Sequence, residues 1–300
     1  MAEKAPSLWE FGGIGPIRLG KRVWKEMDAD DVYGKAAELS YYFLLALFPA
    51  LLFLVSLMGM AAEPGTELRA SLFQALASIL PQGSSELVTK TVSEVTQNAD
   101  GGKLTFGLVT ALWAASGGLV ALINTLNVAY DVTERRSWWK KRVVALALTL
   151  WLSFLIIMSL ALVLFGERLA GMAAERMGLG EVGEYALLAV RWVLVLGAMF
   201  TAFASVYYYA PNLKRPEWYW ISPGAVVGVA LWLAVSFAFR LYLQFFNNYS
   251  ATYGSLGAVI VLMLWFYLTG LAVLAGGEVN AEIGHVVEEG KAREPKLRAA

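Results

Sequence analysis

The sequence predicts an all-α fold, a polytopic integral membrane protein with a bundle of six transmembrane helices and short amphipathic helices outside it. Three observations lead to this prediction. Hydrophobic residues make up 58% of the 300 residues, whereas soluble domains contain about 45–50%. Charged residues make up only 16%, against about 25% in soluble domains. Six separate stretches are long and apolar enough to cross a bilayer, which takes about 20 helical residues.

The predicted spans lie at about 36–62, 104–128, 142–165, 187–209, 222–243 and 255–279. The third is the clearest, because residues 143–165 carry no charged side chain. We therefore divide the chain into an N-terminal segment (1–35), a six-helix transmembrane domain (36–283) and a C-terminal tail (284–300).

Two segments outside the spans have amphipathic patterns. Residues 64–101 lie between turn signals and repeat Leu, Ile and Val at helical spacing, which predicts two short helices outside the cytoplasm. In the N-terminal segment, Ile17, Val23, Trp24 and Met27 alternate with basic residues, a pattern typical of an interfacial helix on an anionic leaflet. The simpler interpretation, that both segments only anchor the bundle, is favoured.

Basic residues are divided unevenly between the two sides of the predicted bundle. Of the 24 Lys and Arg residues, 17 lie in the N-terminal segment, the connections after spans two and four, and the tail, and 5 lie on the opposite side. Because cytoplasmic loops carry the excess of Lys and Arg, both termini are predicted to be cytoplasmic. The formal net charge is zero, which argues against a nucleic-acid partner, since phosphate binding needs clustered positive charge.

Most enzyme chemistries lack the residues that they need. The chain has no cysteine and one histidine, His285, which excludes thiolate catalysis, cysteine-bound metals and a pair of histidine ligands. A serine triad would have to use His285, which falls in the predicted tail and is expected to be solvated. We therefore expect no enzyme activity, no cofactor and no metal site.

Polar residues converge at the predicted cytoplasmic ends of the spans. Buried polar groups in hydrocarbon are costly, so they normally pair, bind a substrate or face a water-filled cavity. Asn124, Asn127 and Asp131 have the spacing of one helix face. Glu38 is equally consistent with ordinary polarity at the membrane surface, whereas for the deeper Glu278, Asn124 and Asn127 a cavity or a hydrogen-bond network is favoured. The residues expected to line a cavity are Glu38, Tyr41, Asn124, Asn127, Asp131, Tyr208, Asn212, Glu278 and Asn280.

A second polar group is expected at the outer ends of spans four and five, and it contains Arg191, Arg240 and Asn247. Arg240 lies about one turn inside the end of its span. Its side chain either snorkels to the surface, which is the favoured interpretation, or contacts a lipid phosphate or an anionic substrate.

Four stretches resemble the YihY/virulence factor BrkB family of bacterial inner-membrane proteins. They are AAELSYYFLLALFP at 36–49, the segment 112–132 from LWAAS to AYDV, YYAPN at 208–212, and the segment 253–282 from YGSLGA to EVNAE. The resemblance implies six helices and the inner membrane of a bacterium. It also brings a former ribonuclease label, a link of some members to serum resistance, and a proposed role of a related branch in moving lipopolysaccharide precursors.

The resulting functional hypothesis is a transporter or flippase-like protein for a lipid or an anionic small molecule, with a polar cavity toward the cytoplasm and membrane lipids as partners. The alternative is a non-transporting scaffold for envelope organisation, whose working surface would be the 64–101 segment. Ribonuclease activity is rejected, because the chain has no metal cluster and no basic groove. A homo-oligomer is possible, and the sequence leaves it open.

Overall fold

The computed structural model describes residues 8–61, 101–178, 180–214, 218–245 and 255–298. These residues form a short 3-10 helix at Leu8–Gly13 and seven α-helices, with no strand among them. The helices are α1 (Pro16–Ala29), α2 (Val32–Ala61), α3 (Gly101–Ala129), α4 (Trp138–Met177), α5 (Gly180–Tyr209), α6 (Pro223–Phe245) and α7 (Ser255–Arg298). The all-α prediction is confirmed for this part of the chain.

Five stretches of these helices are long and apolar enough to cross a membrane, namely Gly107–Ala129, Trp138–Met177, Val182–Tyr209, Pro223–Gln244 and Val259–Glu289. They correspond to predicted spans two to six. The first predicted span falls in α2, which contains Pro49, and the count of six spans stays a prediction. The amphipathic insert expected at 64–101 lies outside the described residues, apart from its last residue, where α3 begins.

Helix α7 is much longer than its predicted span. It continues through the predicted tail, from residue 284 to Arg298. The extension is rich in Glu, Lys and Arg, which favour helix without any need for burial. His285 therefore lies on a helix at the end of the bundle and is only partly exposed.

The described residues divide into two compact units. The first contains residues up to Leu44, Val120–Val144 and Phe200 onward, and the second contains Leu45–Leu119 and Ala145–Met199. The first unit holds most of the polar residues singled out above, and its fully buried side chains include Leu39, Ile123, Leu126, Leu274 and Ile283.

Helix α1 packs against α7 in the first unit and runs antiparallel to it. Arg22, in the middle of α1, contacts Glu289, whereas Asp30, just after its end, contacts Glu278. The buried side chains of α1 are Leu19, Val23 and Met27, whose spacing of four residues places them along one line of the helix.

The interfacial orientation predicted for α1 stays a prediction, and two residues of its apolar pattern lie away from the contact with α7. Ile17 and Trp24 are 78% and 67% exposed, because helical geometry places both of them to one side of the line of buried residues. Leu19, Val23 and Met27 form the face of α1 that packs against α7.

Helices α6 and α7 approach each other closely through glycines. A Cβ atom on Gly224 would overlap the Gly276 carbonyl oxygen, and one on Gly276 would overlap the Tyr207 hydroxyl. That hydroxyl donates a hydrogen bond to the Val273 carbonyl oxygen at 2.8 Å. The missing side chains at Gly224 and Gly276 thus let α5, α6 and α7 meet, as small residues do at helix contacts in membranes.

Replacing Gly276 by Ala should destabilise the protein. The added methyl group must displace Tyr207 or the α6 backbone, and such overpacking typically costs about 1–3 kcal/mol. The thermal unfolding midpoint in detergent measures the effect. Gly284→Ala is the matched control on the same helix, because a Cβ there meets nothing within 4 Å. It should leave the midpoint unchanged or raise it, and equal losses in both variants would contradict the close contact.

Candidate functional site

Asn127 joins the ends of two helices through its buried amide. The residue is 5% exposed near the end of α3. Its Nδ2 donates to Glu134 Oε2 at 3.0 Å, and its Oδ1 accepts from the backbone N–H of Asn212 at 2.7 Å. Asn212 in turn donates from its own side chain to the Thr133 carbonyl at 3.0 Å. These bonds connect the segment after α3 with the segment after α5.

Arg136 completes this network and caps α5. Its Nε and Nη2 donate to the two carboxylate oxygens of Glu134 at 2.9 and 2.7 Å. Nη1 and Nη2 also donate to the carbonyl oxygens of Tyr209 and Ala210 at 3.1 and 2.7 Å. The last carbonyls of a helix have no partner within it, and here a guanidinium supplies one. A cation at a helix C-terminus also interacts favourably with the helix dipole.

The same contacts keep Glu134 ionised. Partial burial raises the pKa of its carboxyl, but the hydrogen bonds from Arg136 and Asn127 outweigh that effect and lower the pKa to about 2. We call Asn127, Glu134, Arg136 and Asn212 the amide network.

Asn280 of α7 organises the start of α6. Its Oδ1 accepts from the Gly224 backbone N–H at 2.9 Å, and its Nδ2 donates to Ser222 Oγ at 3.0 Å. Ser222 Oγ also accepts from the Ala225 N–H at 3.1 Å, which is the bond of an N-cap serine. The Tyr130 side chain forms a further hydrogen bond with Asn280.

Glu278 lies two residues before Asn280 and is 1% exposed. Its carboxyl shares a hydrogen bond with that of Asp30, in the turn between α1 and α2. Its Oε1 has no hydrogen-bond partner among the described residues. We call Asp30 and Glu278 the carboxyl pair.

The surroundings of the carboxyl pair are acidic. Burial raises the pKa of Asp30, and the charges of Asp131 and Glu26 raise it further. A hydrogen bond between two carboxyl groups requires a proton on one of them, since two carboxylates have only acceptors to offer. The carboxyl pair is therefore suited to hold a proton.

Glu282, one turn beyond Glu278, is also buried but has a cation. Arg22 Nε lies 2.6 Å from its Oε2, and His285 Nδ1 lies 3.5 Å from its Oε1. The other imidazole nitrogen of His285 is 3.8 Å from Asp131. Arg22 offsets the cost of burying a negative charge on Glu282. Glu278 has no such basic partner among its described contacts, so burial and the nearby acidic residues both oppose a negative charge on it.

Four predicted cavity residues have different surroundings. Glu38 is exposed and pairs with Lys35 at 3.2 Å, and Tyr41 is 53% exposed and packs edge-on against Tyr42. The other two are Asn124, which is exposed and accepts a hydrogen bond from Lys141 Nζ, and Tyr208, which contacts the rings of Tyr209 and Trp218.

Asn124, Asn127 and Asp131 do not share one environment as their spacing predicts. Asn127 is buried, whereas Asn124 is exposed and the Asp131 side chain is 64% exposed. The cause is that α3 ends at Ala129 and Asp131 adopts a positive φ of 50°, so its side chain leaves the helical position.

The predicted outer group is divided between the units. Arg191 lies on α5 in the second unit, and Arg240 is an exposed residue of α6 in the first. Asn247 lies outside the described residues, so the grouping stays a prediction.

The sequence analysis did not assign several residues to the site that the structure places there. Arg22 and Glu282 are 260 positions apart, and no local pattern connects them. Asp30 resembles any acidic residue in a turn. Glu134 and Arg136 left a usable signal, because opposite charges two residues apart directly after a helix are suited to capping. Within the described ranges, no group of three or more His, Cys, Asp or Glu side chains could hold a metal ion.

Comparison with known proteins shows that the chain is similar to a family of membrane proteins. The family model for virulence factor BrkB matches residues 23–299. The putative ribonuclease-like protein YfkH of Bacillus subtilis is 36% identical over 87% of this chain and 93% of its own length. UPF0761 membrane proteins of Vibrio atlanticus and Alteromonas mediterranea are 27% and 28% identical, over 90% and 96% of this chain and 83% and 92% of their own. No solved structure matches the chain significantly.

Replacing Asn127 by Ala should lower stability, because Glu134 and the Asn212 N–H each lose a buried partner. Leaving a buried polar group unpaired costs about 1–3 kcal/mol. Asn124→Ala is the matched control on the same helix, since Asn124 is exposed and accepts a hydrogen bond from the long side chain of Lys141. Unfolding midpoints in detergent should fall for the first variant and stay near wild type for the second. The reverse order would contradict the role of the amide network.

Proposed function

Because the chain belongs to the virulence factor BrkB family of multi-pass membrane proteins, we propose that it is a proton-coupled transporter or flippase-like protein. The proposed substrate is a lipid or an anionic small molecule. One observation supports the proposal above the others. A membrane-spanning helix carries a fully buried carboxyl, Glu278, that shares a hydrogen bond with the Asp30 carboxyl and has no basic partner among its described hydrogen bonds and ion pairs.

Ionisable groups in membrane-spanning helices are costly and commonly mark ion paths and proton relays. In the proposed mechanism the carboxyl pair shares one proton, and in a second state the proton has left and both groups are charged. The nearby acidic residues Asp131, Glu26 and Glu282 oppose that state, and a conformation with more water around Glu278 favours it. Proton release can in this way be linked to a conformational change.

The acidic residues around Glu278 also support a division of roles between proton binding and substrate binding. Like charges are unfavourable neighbours, so an anionic substrate gains nothing by approaching Glu26, Asp131 and Glu278 directly. In the proposed mechanism these groups carry the proton, and the negative charge of the substrate has its partners elsewhere in the bundle.

Catalysis is not part of the proposal. The family is one of membrane proteins and is not a known enzyme family, and the word ribonuclease-like belongs to the name of the Bacillus subtilis relative. We propose that this chain is not an enzyme and that it needs no cofactor.

Removing the proton site should uncouple transport from a pH gradient. In liposomes with a fluorescent, head-labelled phosphatidylglycerol, chemical bleaching of the outer leaflet measures flipping with and without an imposed gradient. Wild type should flip faster with the gradient, and Glu278→Gln, which cannot release a proton, should lose that acceleration. Glu38→Gln is the matched control, because Glu38 is exposed and pairs with Lys35. A wild-type rate that ignores the gradient contradicts proton coupling, and no flipping at all favours the scaffold alternative.

We also propose that the protein lies in the bacterial inner membrane with both termini in the cytoplasm. The excess of Lys and Arg in the segments next to the termini supports this orientation. A C-terminal fusion to green fluorescent protein should fluoresce, and the same fusion to alkaline phosphatase should be inactive, because each reporter works on one side only. An active phosphatase fusion would reverse the orientation.

A further inference from the structure

In the second unit, α4 and α5 form an antiparallel hairpin. Gly178 and Gly180, both with positive φ, make the turn. Two contacts define the register, since a Cβ on Gly171 would lie 3.6 Å from Glu184 Oε1, and one on Gly166 would overlap Arg191 Cδ. Gly166 and Arg191 therefore face each other, each 11 residues from the end of its helix at the turn.

This level of the hairpin marks the boundary between its apolar and charged parts. Residues 145–165 carry no charged side chain and cover about 30 Å at about 1.5 Å per residue, which matches the hydrocarbon thickness of a bilayer. Charges begin directly afterwards with Glu167 and Arg168. Arg191 thus lies at the depth where hydrocarbon gives way to lipid headgroups.

The Arg191 side chain fits into the notch that Gly166 leaves open. Its Nε is buried and has no hydrogen-bond partner among the described residues, and its Cζ lies 5.2 Å from the ring centroid of Trp192. No carboxylate among the described residues forms an ion pair with Arg191. An arginine that simply snorkels would place its guanidinium in water, whereas this one keeps a donor inside the protein.

We propose that Arg191, held in the notch at Gly166, binds the phosphate group of a lipid headgroup. The guanidinium is planar, always charged and able to donate two parallel hydrogen bonds to phosphate oxygens. The notch brings it to the layer in which lipid phosphates lie, and the half-exposed Trp192 ring beside it is typical of that layer. This binding site does not rest on the proposed transport.

Native mass spectrometry of the full chain in detergent, titrated with dioleoylphosphatidylglycerol, tests the site. Arg191→Gln should bind this lipid about tenfold more weakly, because charge-assisted hydrogen bonds are lost. Gly166→Ala should also bind more weakly, although it keeps the charge, because its methyl group displaces the side chain. Arg176→Gln is the matched control, since Arg176 is an exposed arginine near the tip of the same hairpin.

Two further ligands separate the possible sources of phosphate. Dioleoylglycerol has the same chains without phosphate, and it should bind wild type and Arg191→Gln alike. Millimolar inorganic phosphate should not displace the lipid, and displacement would assign the site to a soluble phosphate and overturn the lipid assignment. Equal binding by Arg191→Gln and Arg176→Gln would overturn the site itself. If Arg191→Gln does not fold, Arg191→Lys and Gly166→Ala carry the test, with the thermal midpoint as the check on folding.

Discussion

The first unit depends on one constraint, namely that backbone groups at helix ends near a membrane must find partners when water is scarce. Three of its helix ends meet the constraint in different ways. Arg136 donates to the last carbonyls of α5, and Ser222 and Asn280 accept from the first N–H groups of α6. Asp31 accepts from the Gly34 N–H at the start of α2. Two of these caps come from another segment of the chain, so capping a helix also fixes its neighbours.

The polar residues of the first unit consequently serve two purposes. Asn127 and Asn280 have both their side-chain amide nitrogen and oxygen engaged with other protein groups, which suits a structural role. Glu278 differs from them because a carboxyl oxygen remains without a hydrogen bond in the described structure. The buried polar groups of the first unit thus divide into amides that hold helices together and one carboxyl whose hydrogen bonding is incomplete. This contrast is the reason for placing the proton on Glu278 and Asp30 rather than on the more numerous amides.

The fold was accessible from the sequence because hydrocarbon imposes a length and a composition on each span. Residues 143–165 predict a membrane helix without any knowledge of their neighbours. The site was only partly accessible. The depth of Asn124, Asn127 and Glu278 in their spans favoured a cavity or a hydrogen-bond network, and the structure buries Asn127 and Glu278 but leaves Asn124 exposed. Which face of α2 and α3 points inward depends on packing partners, so Glu38 and Asn124 could not be separated from the buried set. The contact of Arg22 with Glu282 has no local signature, since it joins opposite ends of the chain.

That contact has a consequence for biosynthesis. Arg22 emerges from the ribosome before the first span, whereas Glu282 and Glu289 lie at the far end of the last membrane-spanning stretch, so these contacts of α1 form only when the bundle is almost complete. The apolar line of Leu19, Val23 and Met27 therefore gains its cover on α7 only after most of the chain has been made. Two segments at opposite ends of the sequence thus depend on each other for burial.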